Sequence, residues 1–149
     1  GTERRLQFKG RIKKTLVFDE FAQHPSEVGA TLRAIKKTLP RHRLVVLFQP
    51  HTFSRTEKFL KEFANAFERA DQVGVLEIYS SARESAGTVS SRDLVALIPE
   101  KEKAIYFSNQ QEATAHFSQL SFSRPTVFLT LGAGDGFRVG EELIKLKSS

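Results

Sequence analysis

The chain has 149 residues, of which 40% are apolar and 27% are charged, and its formal net charge at pH 7 is +6. These proportions are typical of a soluble globular protein with one compact domain. The lack of cysteine excludes disulfides, cysteine-based metal sites and cysteine nucleophiles. No long apolar run or secretory signal occurs, so a cytoplasmic protein is expected.

Six apolar runs in the sequence predict short strands. In chain order they read RRLQFKG, KTLVF, RLVVLF, QVGVLEI, AIYF and TVFLTL. Several are continuously apolar, which is typical of strands covered on both faces. Only RIK separates the first two runs, which predicts an antiparallel hairpin at one edge of a sheet. The alternation of strands and helices predicts a three-layer, Rossmann-like α/β domain whose mainly parallel sheet has about six strands.

Helical patterns fill the intervals between these strands. Residues 26–39 and residues 54–70 each place apolar side chains on one face. These faces contain Val28, Leu32, Ile35 and Leu39, and Phe59, Leu60, Phe63 and Phe67. Three hydroxyl or amide residues are followed three positions later by a carboxylate, which is the pattern of an N-terminal capping box. The three pairs are Ser54 with Glu57, Ser90 with Asp93, and Asn109 with Glu112.

Polar segments follow four of the predicted strands, and they read DEFAQHPS, QPHTFSR, YSSARES and GAGDG. In a parallel sheet, ligands bind beyond the carboxyl ends of the strands, where helix N-termini also direct their free N–H groups. We therefore expect the charged and histidine side chains of these segments to meet along one edge. They are Asp19, Glu20, His24, His51, Arg55, Arg83, Glu84 and Asp135.

Two of these features have structural alternatives. GAGDG can cradle phosphate through backbone N–H groups, but a turn that needs glycine explains it equally well. Arg55 offers a planar fork for a carboxylate or a phosphate, and an exposed ion pair with Glu57 or Glu62 is its alternative.

Neither a metal site nor a serine hydrolase is predicted. His24 and His51 could form a metal pair with a carboxylate, but their spacing fits no recognised ligand pattern, and hydrogen-bonded loop histidines are commoner. No G-x-S-x-G stretch is present for Ser-His-Asp catalysis. His42 and His116 fall in polar surface and are expected to be inert.

Four segments, in this order and spacing, resemble the C-terminal domain of the Mur ligases. They are FDEFAQHPSEVGATL, FQPHTFSRT, FANAFERADQV and LGAGDG. The Gln-Pro-His stretch resembles the branch of the family that adds L-alanine. The resemblance implies that residues 1–149 form one such domain, with residues 1–10 as the hinge and the end of a central domain.

This resemblance implies a part in ATP-dependent amide bond formation during peptidoglycan precursor synthesis. In that reaction ATP phosphorylates the carboxylate of UDP-N-acetylmuramate, and the amine of L-alanine attacks the acyl phosphate. The chain has no G-x-x-x-x-G-K-[ST] sequence, so ATP and Mg²⁺ would be held mainly by a central domain outside it. The chain would close over ATP and present the amino acid, and alone it is expected to be inactive. Neither nucleic acid nor membrane is an expected partner.

The resemblance also assigns residues to the two sides of the site. Arg5, Asp19 and Glu20 match positions that approach the nucleotide, with the carboxylates as acceptors for ribose hydroxyls. Three loops supply the substrate side, namely Gln23 and His24, then His51, Thr52 and Arg55, then Gly132, Ala133, Gly134 and Asp135. No residue of this chain is assigned a catalytic or metal-binding role.

Several positions depart from the family pattern. Glu20, Phe21 and Gln23 replace aspartate, tyrosine and histidine, and Thr52 stands where a first arginine is expected. Losing one of two cationic forks would weaken a direct carboxylate contact by about 1.5 to 3 kcal/mol. The chain is therefore either a divergent working ligase domain or a variant, natural or engineered, that retains the fold as a nucleotide- or anion-binding module.

The N-terminal segment raises a third hypothesis, nucleic-acid binding. Its basic residues are Arg4, Arg5, Lys9, Arg11, Lys13 and Lys14. A solvated basic hairpin is the structural alternative, and most phenylalanines fall at core spacings, so no stacking platform is evident.

Overall fold

The computed structural model describes residues 6–80 and 88–148. Its strands are β1 (Gln7–Ile12), β2 (Thr15–Glu20), β3 (Arg43–Gln49), β4 (Gln72–Leu76), β5 (Ala104–Phe107) and β6 (Thr126–Gly132). Its helices are α1 (Pro25–Thr38), α2 (Phe53–Lys58), α3 (Leu60–Ala66), α4 (Ser91–Leu97), α5 (Gln110–Phe117) and α6 (Phe137–Lys147), with a 3₁₀ turn at Lys101–Lys103.

The six strands form one sheet in the order β1-β2-β6-β3-β4-β5. All neighbouring pairs are parallel except β1 with β2, which are antiparallel at the edge. The predicted mainly parallel sheet with an N-terminal edge hairpin is confirmed. Because β3 and β6 are central and covered on both faces, their apolar runs are almost entirely buried.

Helices cover both faces of the sheet and enclose two apolar cores. On one face, α1, α3 and α4 pack over Val46, Phe48 and Leu129. On the other, α5 and α6 pack over Val45, Leu47 and Phe128. Alternating residues of the same strand therefore supply opposite cores. The predicted three-layer architecture is confirmed.

The first hairpin differs from its predicted boundaries. β1 continues through Arg11 and Ile12, so only Lys13 and Lys14 lie between the strands, in place of the predicted RIK. Lys13 adopts a left-handed φ of 52°, as two-residue hairpin turns demand. A register irregularity between Phe8 and Gly10 interrupts the pairing.

Two predicted helix features are wrong. Residues 54–70 contain two helices, α2 and α3, which meet at Phe59. The N-cap of α2 is Thr52 and not Ser54, because the Thr52 hydroxyl accepts a hydrogen bond from Arg55 N. Phe63 and Phe67 are nevertheless buried as predicted.

The other two predicted caps are present. Ser90 and Asp93 form the expected capping box of α4. Asn109 caps α5 by accepting from Glu112 N, but the Glu112 carboxylate accepts from the backbone N–H and hydroxyl of Ser108. None of the helices in the described ranges combines the length and the apolar character needed to cross a membrane.

Candidate functional site

The carboxyl ends of three neighbouring strands lie side by side. Glu20 of β2 is in register with Leu131 of β6, and Gly132 of β6 is in register with Gln49 of β3. Adjacent strands are about 4.8 Å apart. The loops that follow β2, β3 and β6 therefore leave the sheet along the same edge, as the sequence predicted. Arg83 and Glu84, which were predicted to join them, lie outside the described residues, as does Arg5, which the resemblance assigns to the nucleotide side.

The acidic pair at the end of β2 is divided between the two faces of the sheet. Asp19 and Glu20 are 7% and 8% exposed. Thr130 Oγ1 donates to Asp19 Oδ1 at 2.6 Å, on the face covered by α6. Thr31 Oγ1 of α1 donates to Glu20 Oε1 at 3.0 Å, and Leu6 N donates to Glu20 Oε2 at 3.1 Å. Glu20 thus ties the entry to β1 and the first turns of α1 to the sheet.

His24 is the N-cap of α1. Its Nδ1 accepts from Ser26 N at 3.1 Å, and its backbone N–H donates to Glu27 Oε1 at 2.9 Å. Pro25, at the first helical position, suits this helix start because its missing N–H needs no partner there. The His24 ring also contacts Phe59 edge-on, with 4.9 Å between ring centroids. Since Nδ1 accepts, the ring presents Nε2 as its remaining donor.

Arg55 and Gln23 connect two of the loops. Arg55 Nη1 donates a hydrogen bond to Gln23 Oε1, and both residues are half-buried. The expected structural alternative, an ion pair of Arg55 with Glu57 or Glu62, does not form among the described residues. The Arg55 guanidinium is therefore held by a neutral acceptor.

The chain crosses from β3 to α2 through a strained residue. Thr52 has φ 67° and ψ 142°, a conformation that β-branched residues rarely adopt and that costs about 1–3 kcal/mol. Local hydrogen bonds hold it there, because Thr52 N donates to Tyr79 O at 2.8 Å and Thr56 Oγ1 donates to Thr52 O at 2.7 Å. The preceding His51 forms an isolated parallel bridge with Tyr79, and their rings stack with 5.7 Å between centroids.

The glycine loop after β6 packs against Gln49. Gly132 has φ 128°, and a Cβ there would lie 2.4 Å from the Gln49 carbonyl oxygen. A Cβ at Gly134 would lie 2.5 Å from Gln49 Oε1 and 3.0 Å from Tyr79 Cδ2. Gln49 Nε2 in turn donates to Glu77 O at 3.3 Å. Glycine is therefore required at 132, whereas the contact at 134 is with the end of the flexible Gln49 side chain. A turn that needs glycine, the structural explanation that the sequence left open beside phosphate binding, thus applies to Gly132.

The remainder of this loop faces α5 and α6. Ala133 is half-buried between the two glycines. Asp135 forms a loose ion pair with Arg138, at 3.8 Å, and its carbonyl accepts from Gln110 Nε2 at 3.3 Å. Asp135 and Asp19 thus belong to the α5–α6 side of the edge, whereas Glu20, His24 and Arg55 belong to the α1–α2 side. Within the described ranges, no group of three or more His, Asp or Glu residues could hold a metal ion.

Glu77 was missed by the sequence analysis because it lay inside a predicted strand. β4 ends at Leu76, and the Glu77 carboxylate accepts from Ile78 N at 2.9 Å, Ser91 N at 3.1 Å and Tyr106 Oη at 2.8 Å. The Arg92 guanidinium lies 4.4 Å from the centre of the Tyr106 ring. Glu77 therefore joins β4, β5 and the start of α4, and its own backbone carbonyl fixes Gln49.

Hydrogen bonding shifts the pKa values of Glu77 and Tyr106. Burial alone would raise the pKa of Glu77, but the hydrogen bonds from Ile78, Ser91, Tyr106 and Ser90 outweigh burial, so its pKa lies below the ordinary value. Burial and the Glu77 carboxylate raise the pKa of Tyr106. The ionised carboxylate is consequently the form that the folded chain stabilises.

We expect Glu77→Gln to make the free energy of unfolding depend less steeply on pH in the acid range. A carboxylate whose pKa is lowered on folding contributes stability above its unfolded pKa, and that contribution is lost as pH falls through the folded value. The free energy of unfolding in urea should therefore fall more steeply for the wild type than for the variant between about pH 5 and pH 2. Parallel curves for the two proteins over that range would contradict this assignment.

The chain is similar to known proteins over almost its whole length. Residues 4–134 match the family described as "Mur ligase, glutamate ligase domain". The UDP-N-acetylmuramate–L-alanine ligase of Endomicrobium trichonymphae is 47% identical over 98% of this chain, which corresponds to 32% of that protein. The chain thus spans about a third of the length of the curated relatives that it matches.

Solved structures agree with the fold. UDP-N-acetylmuramate-alanine ligase from Thermotoga maritima has a TM-score of 0.74 at 27% identity, over 97% of this chain and 30% of that chain. A domain from a putative UDP-N-acetylmuramate:L-alanyl-gamma-D-glutamyl-diaminopimelate ligase of Haemophilus ducreyi has a TM-score of 0.70 at 20% identity. That match covers 95% of this chain and 98% of the other, so the same fold has crystallised as a separate domain.

Proposed function

The chain belongs to the family of Mur ligase, glutamate ligase domains, and from this we propose that it is the C-terminal domain of a UDP-N-acetylmuramate:L-alanine ligase. In this proposal residues 1–149 form one domain. Residues 1–10 were expected to be the hinge and the end of a central domain, and of these the structure includes residues 7–10 in β1 of the sheet. The observation that carries the proposal is the strand register, in which Glu20 pairs with Leu131 and Gln49 pairs with Gly132. This register brings the loops after β2, β3 and β6, which carry the family segments, to one edge of the sheet. The parent enzyme would act in the cytoplasm, in peptidoglycan precursor synthesis.

Arg55 is the residue we assign to the carboxylate of L-alanine. The guanidinium has five N–H donors, and Gln23 accepts from only one nitrogen, Nη1. Gln23 is a neutral acceptor, so it orients Arg55 without repelling it and without competing as a carboxylate would. This arrangement supports the hypothesis of a divergent but working ligase domain. In such a domain the amino-acid binding site would contain one arginine, Arg55, together with Gln23 and Thr52.

The nucleotide side fits less completely. Both carboxylate oxygens of Glu20 already accept hydrogen bonds from Thr31 and Leu6, so Glu20 acts mainly as a tether. Asp19, 7% exposed, has Oδ1 bonded to Thr130, and it is the carboxylate that we assign to a ribose hydroxyl. ATP supplies the phosphoryl group that activates the sugar carboxylate. A Mg²⁺ site does not fit the described donors of this chain, because no three His, Asp or Glu residues among them could hold a metal ion together.

The test is the substrate dependence of phosphate release by a full-length protein that carries this chain. Release should require both UDP-N-acetylmuramate and L-alanine, because the acyl phosphate reaches its product only by attack of the amine. Phosphate release from ATP at the same rate with and without L-alanine would contradict the proposal. In calorimetry with the 149-residue chain alone, we expect no micromolar binding of ATP that depends on Asp19 or Arg55. Tight binding that Asp19→Asn or Arg55→Ala abolishes would favour a stand-alone nucleotide module at this site.

A further inference from the structure

The edge of the sheet opposite the candidate site carries a concentrated positive charge. The β1–β2 turn, the α1–β3 loop and the α5–β6 loop meet there, before the start of the parallel strands. We call this surface the basic edge, and it consists of Arg11, Lys13, Lys14, Arg41, Arg43 and Arg124. Its six cations equal in number the formal net charge of +6 of the whole chain.

Backbone hydrogen bonds fix the three segments against one another. Lys14 N donates to Phe122 O at 2.9 Å, Thr126 N donates to Lys14 O at 3.3 Å, and Arg43 N donates to Pro125 O at 2.9 Å. These backbone hydrogen bonds fix the positions of the cations relative to one another. The Arg43 side chain also belongs to this frame, because it donates to Thr126 Oγ1 and Ser121 O. A ligand would meet charges that are already assembled, which lowers the ordering cost of binding.

These charges are poorly neutralised. In the described part of the chain, no ion pair forms with Arg11, Lys13, Lys14 or Arg124. Burial and the neighbouring charge of Arg124 lower the pKa of Arg43, with Asp71 opposing them, so like charges repel one another on this surface. Repulsion among cations on one face disfavours the folded state, and an anion bound between them would relieve it.

A cavity of about 330 Å³ lies within the basic edge. Leu16 and Pro125 give it an apolar part, and Arg11, Lys13, Lys14 and His42 give it a polar and cationic part. This size is that of a small-molecule site. No aromatic residue other than His42 lines it, whereas proteins that bind single-stranded nucleic acid stack bases on aromatic side chains.

We propose that the basic edge is a binding site for a small phosphorylated ligand with two or more phosphate groups, separate from the nucleotide and amino-acid site at the opposite edge. The unpaired lysines of the β1–β2 turn contact the phosphates, and the apolar part of the cavity contacts the body of the ligand. Nucleic acid is the competing occupant, and the test below separates the two.

The test is calorimetric titration of the 149-residue chain with inorganic tripolyphosphate at low ionic strength. The double variant Lys13→Glu, Lys14→Glu should bind it roughly ten- to a hundredfold more weakly, because each lysine supplies a charge-assisted hydrogen bond. The matched control Lys61→Glu, Lys101→Glu makes the same change in net charge at exposed positions elsewhere and should bind almost as well as the wild type. Arg55→Ala should also leave the affinity unchanged, which separates this site from the proposed ligase site.

Three results would overturn the proposal. The first is no binding by the wild type at millimolar tripolyphosphate, and the second is an equal loss in the lysine double variant and its matched control. The third is displacement of tripolyphosphate by a 12-nucleotide single strand that binds more tightly, since it would assign the surface to nucleic acid. Circular dichroism checks the fold of each variant. Arg124→Glu, in an exposed loop next to Pro125 of the cavity, provides an independent second variant whose weakening should have the same direction and be smaller.

Discussion

Replacing Gly132 with alanine is expected to lower the free energy of unfolding by about 3 kcal/mol or more. Its φ of 128° lies in a region that residues with a Cβ rarely enter, which costs about 1–3 kcal/mol. In addition, the new Cβ would lie 2.4 Å from the Gln49 carbonyl oxygen, an approach that only a shift of the β3–β6 ladder can relieve. Because domains are stable by only about 5–15 kcal/mol, this is a large fraction of the total.

Gly29→Ala is the matched control for this measurement. Gly29 is also buried, but it lies within α1, and its added Cβ would meet only the flexible end of Arg33, at 3.2 Å. Helix propensity favours alanine there by about 0.5–1 kcal/mol, so no loss of stability is expected. Urea unfolding of both variants at pH 7 checks the difference. Equal stability of Gly132→Ala and the wild type would show that the β6 turn does not need its left-handed glycine.

Much of the fold was predictable because its signals are local. The continuous apolar runs of β3 and β6 indicate strands covered on both faces, and both are buried as predicted. Boundaries were less predictable. α2 starts at Phe53 because Thr52, held at a positive φ, supplies the cap, and no local pattern distinguishes it from Ser54. The break at Phe59 has no Pro or Gly signal in the sequence.

The candidate site was predictable to the level of loops but not of contacts. Strand order brings the loops of Asp19, Arg55 and Gly134 to one edge, as topology rules require. Consecutive residues of a strand take opposite faces, so the separation of Asp19 from Glu20 follows once β2 is known to extend to Glu20. The predicted strand ended at Phe18, and the separation was therefore missed. The bond from Arg55 to Gln23 joins residues 32 positions apart, and no sequence pattern indicates it.

Polar residues lie on both faces of the sheet at the carboxyl ends of its strands. The α1–α2 side carries Arg55, and the α5–α6 side carries Asp19 and Asp135, with Gln49 and the glycine loop between them. A substrate that reaches both sides must lie across the ends of β6 and β3. This geometry suits a domain that closes over reactants bound to another domain, because the two sides of its loop edge can then contact two different ligands.

Replacing Arg55 with alanine in a full-length protein that carries this chain is expected to raise the KM for L-alanine roughly ten- to a hundredfold. The reason is the loss of the charge-assisted contact with the carboxylate, worth about 1.5–3 kcal/mol in all. The KM of Arg55→Lys should lie between those of the wild type and Arg55→Ala, since a lysine keeps the charge but not the planar guanidinium. Steady-state phosphate release against L-alanine concentration gives KM and kcat separately.

The pattern across variants distinguishes carboxylate binding from a structural role of Arg55. Gln23→Ala removes only the residue that orients the guanidinium, so its KM should rise less than that of Arg55→Ala. Lys58→Ala changes an exposed cation of the same helix and should leave KM near the wild-type value. If Arg55→Ala instead lowered kcat at unchanged KM, the arginine would act after the amino acid has bound, and its assignment to the carboxylate would be wrong.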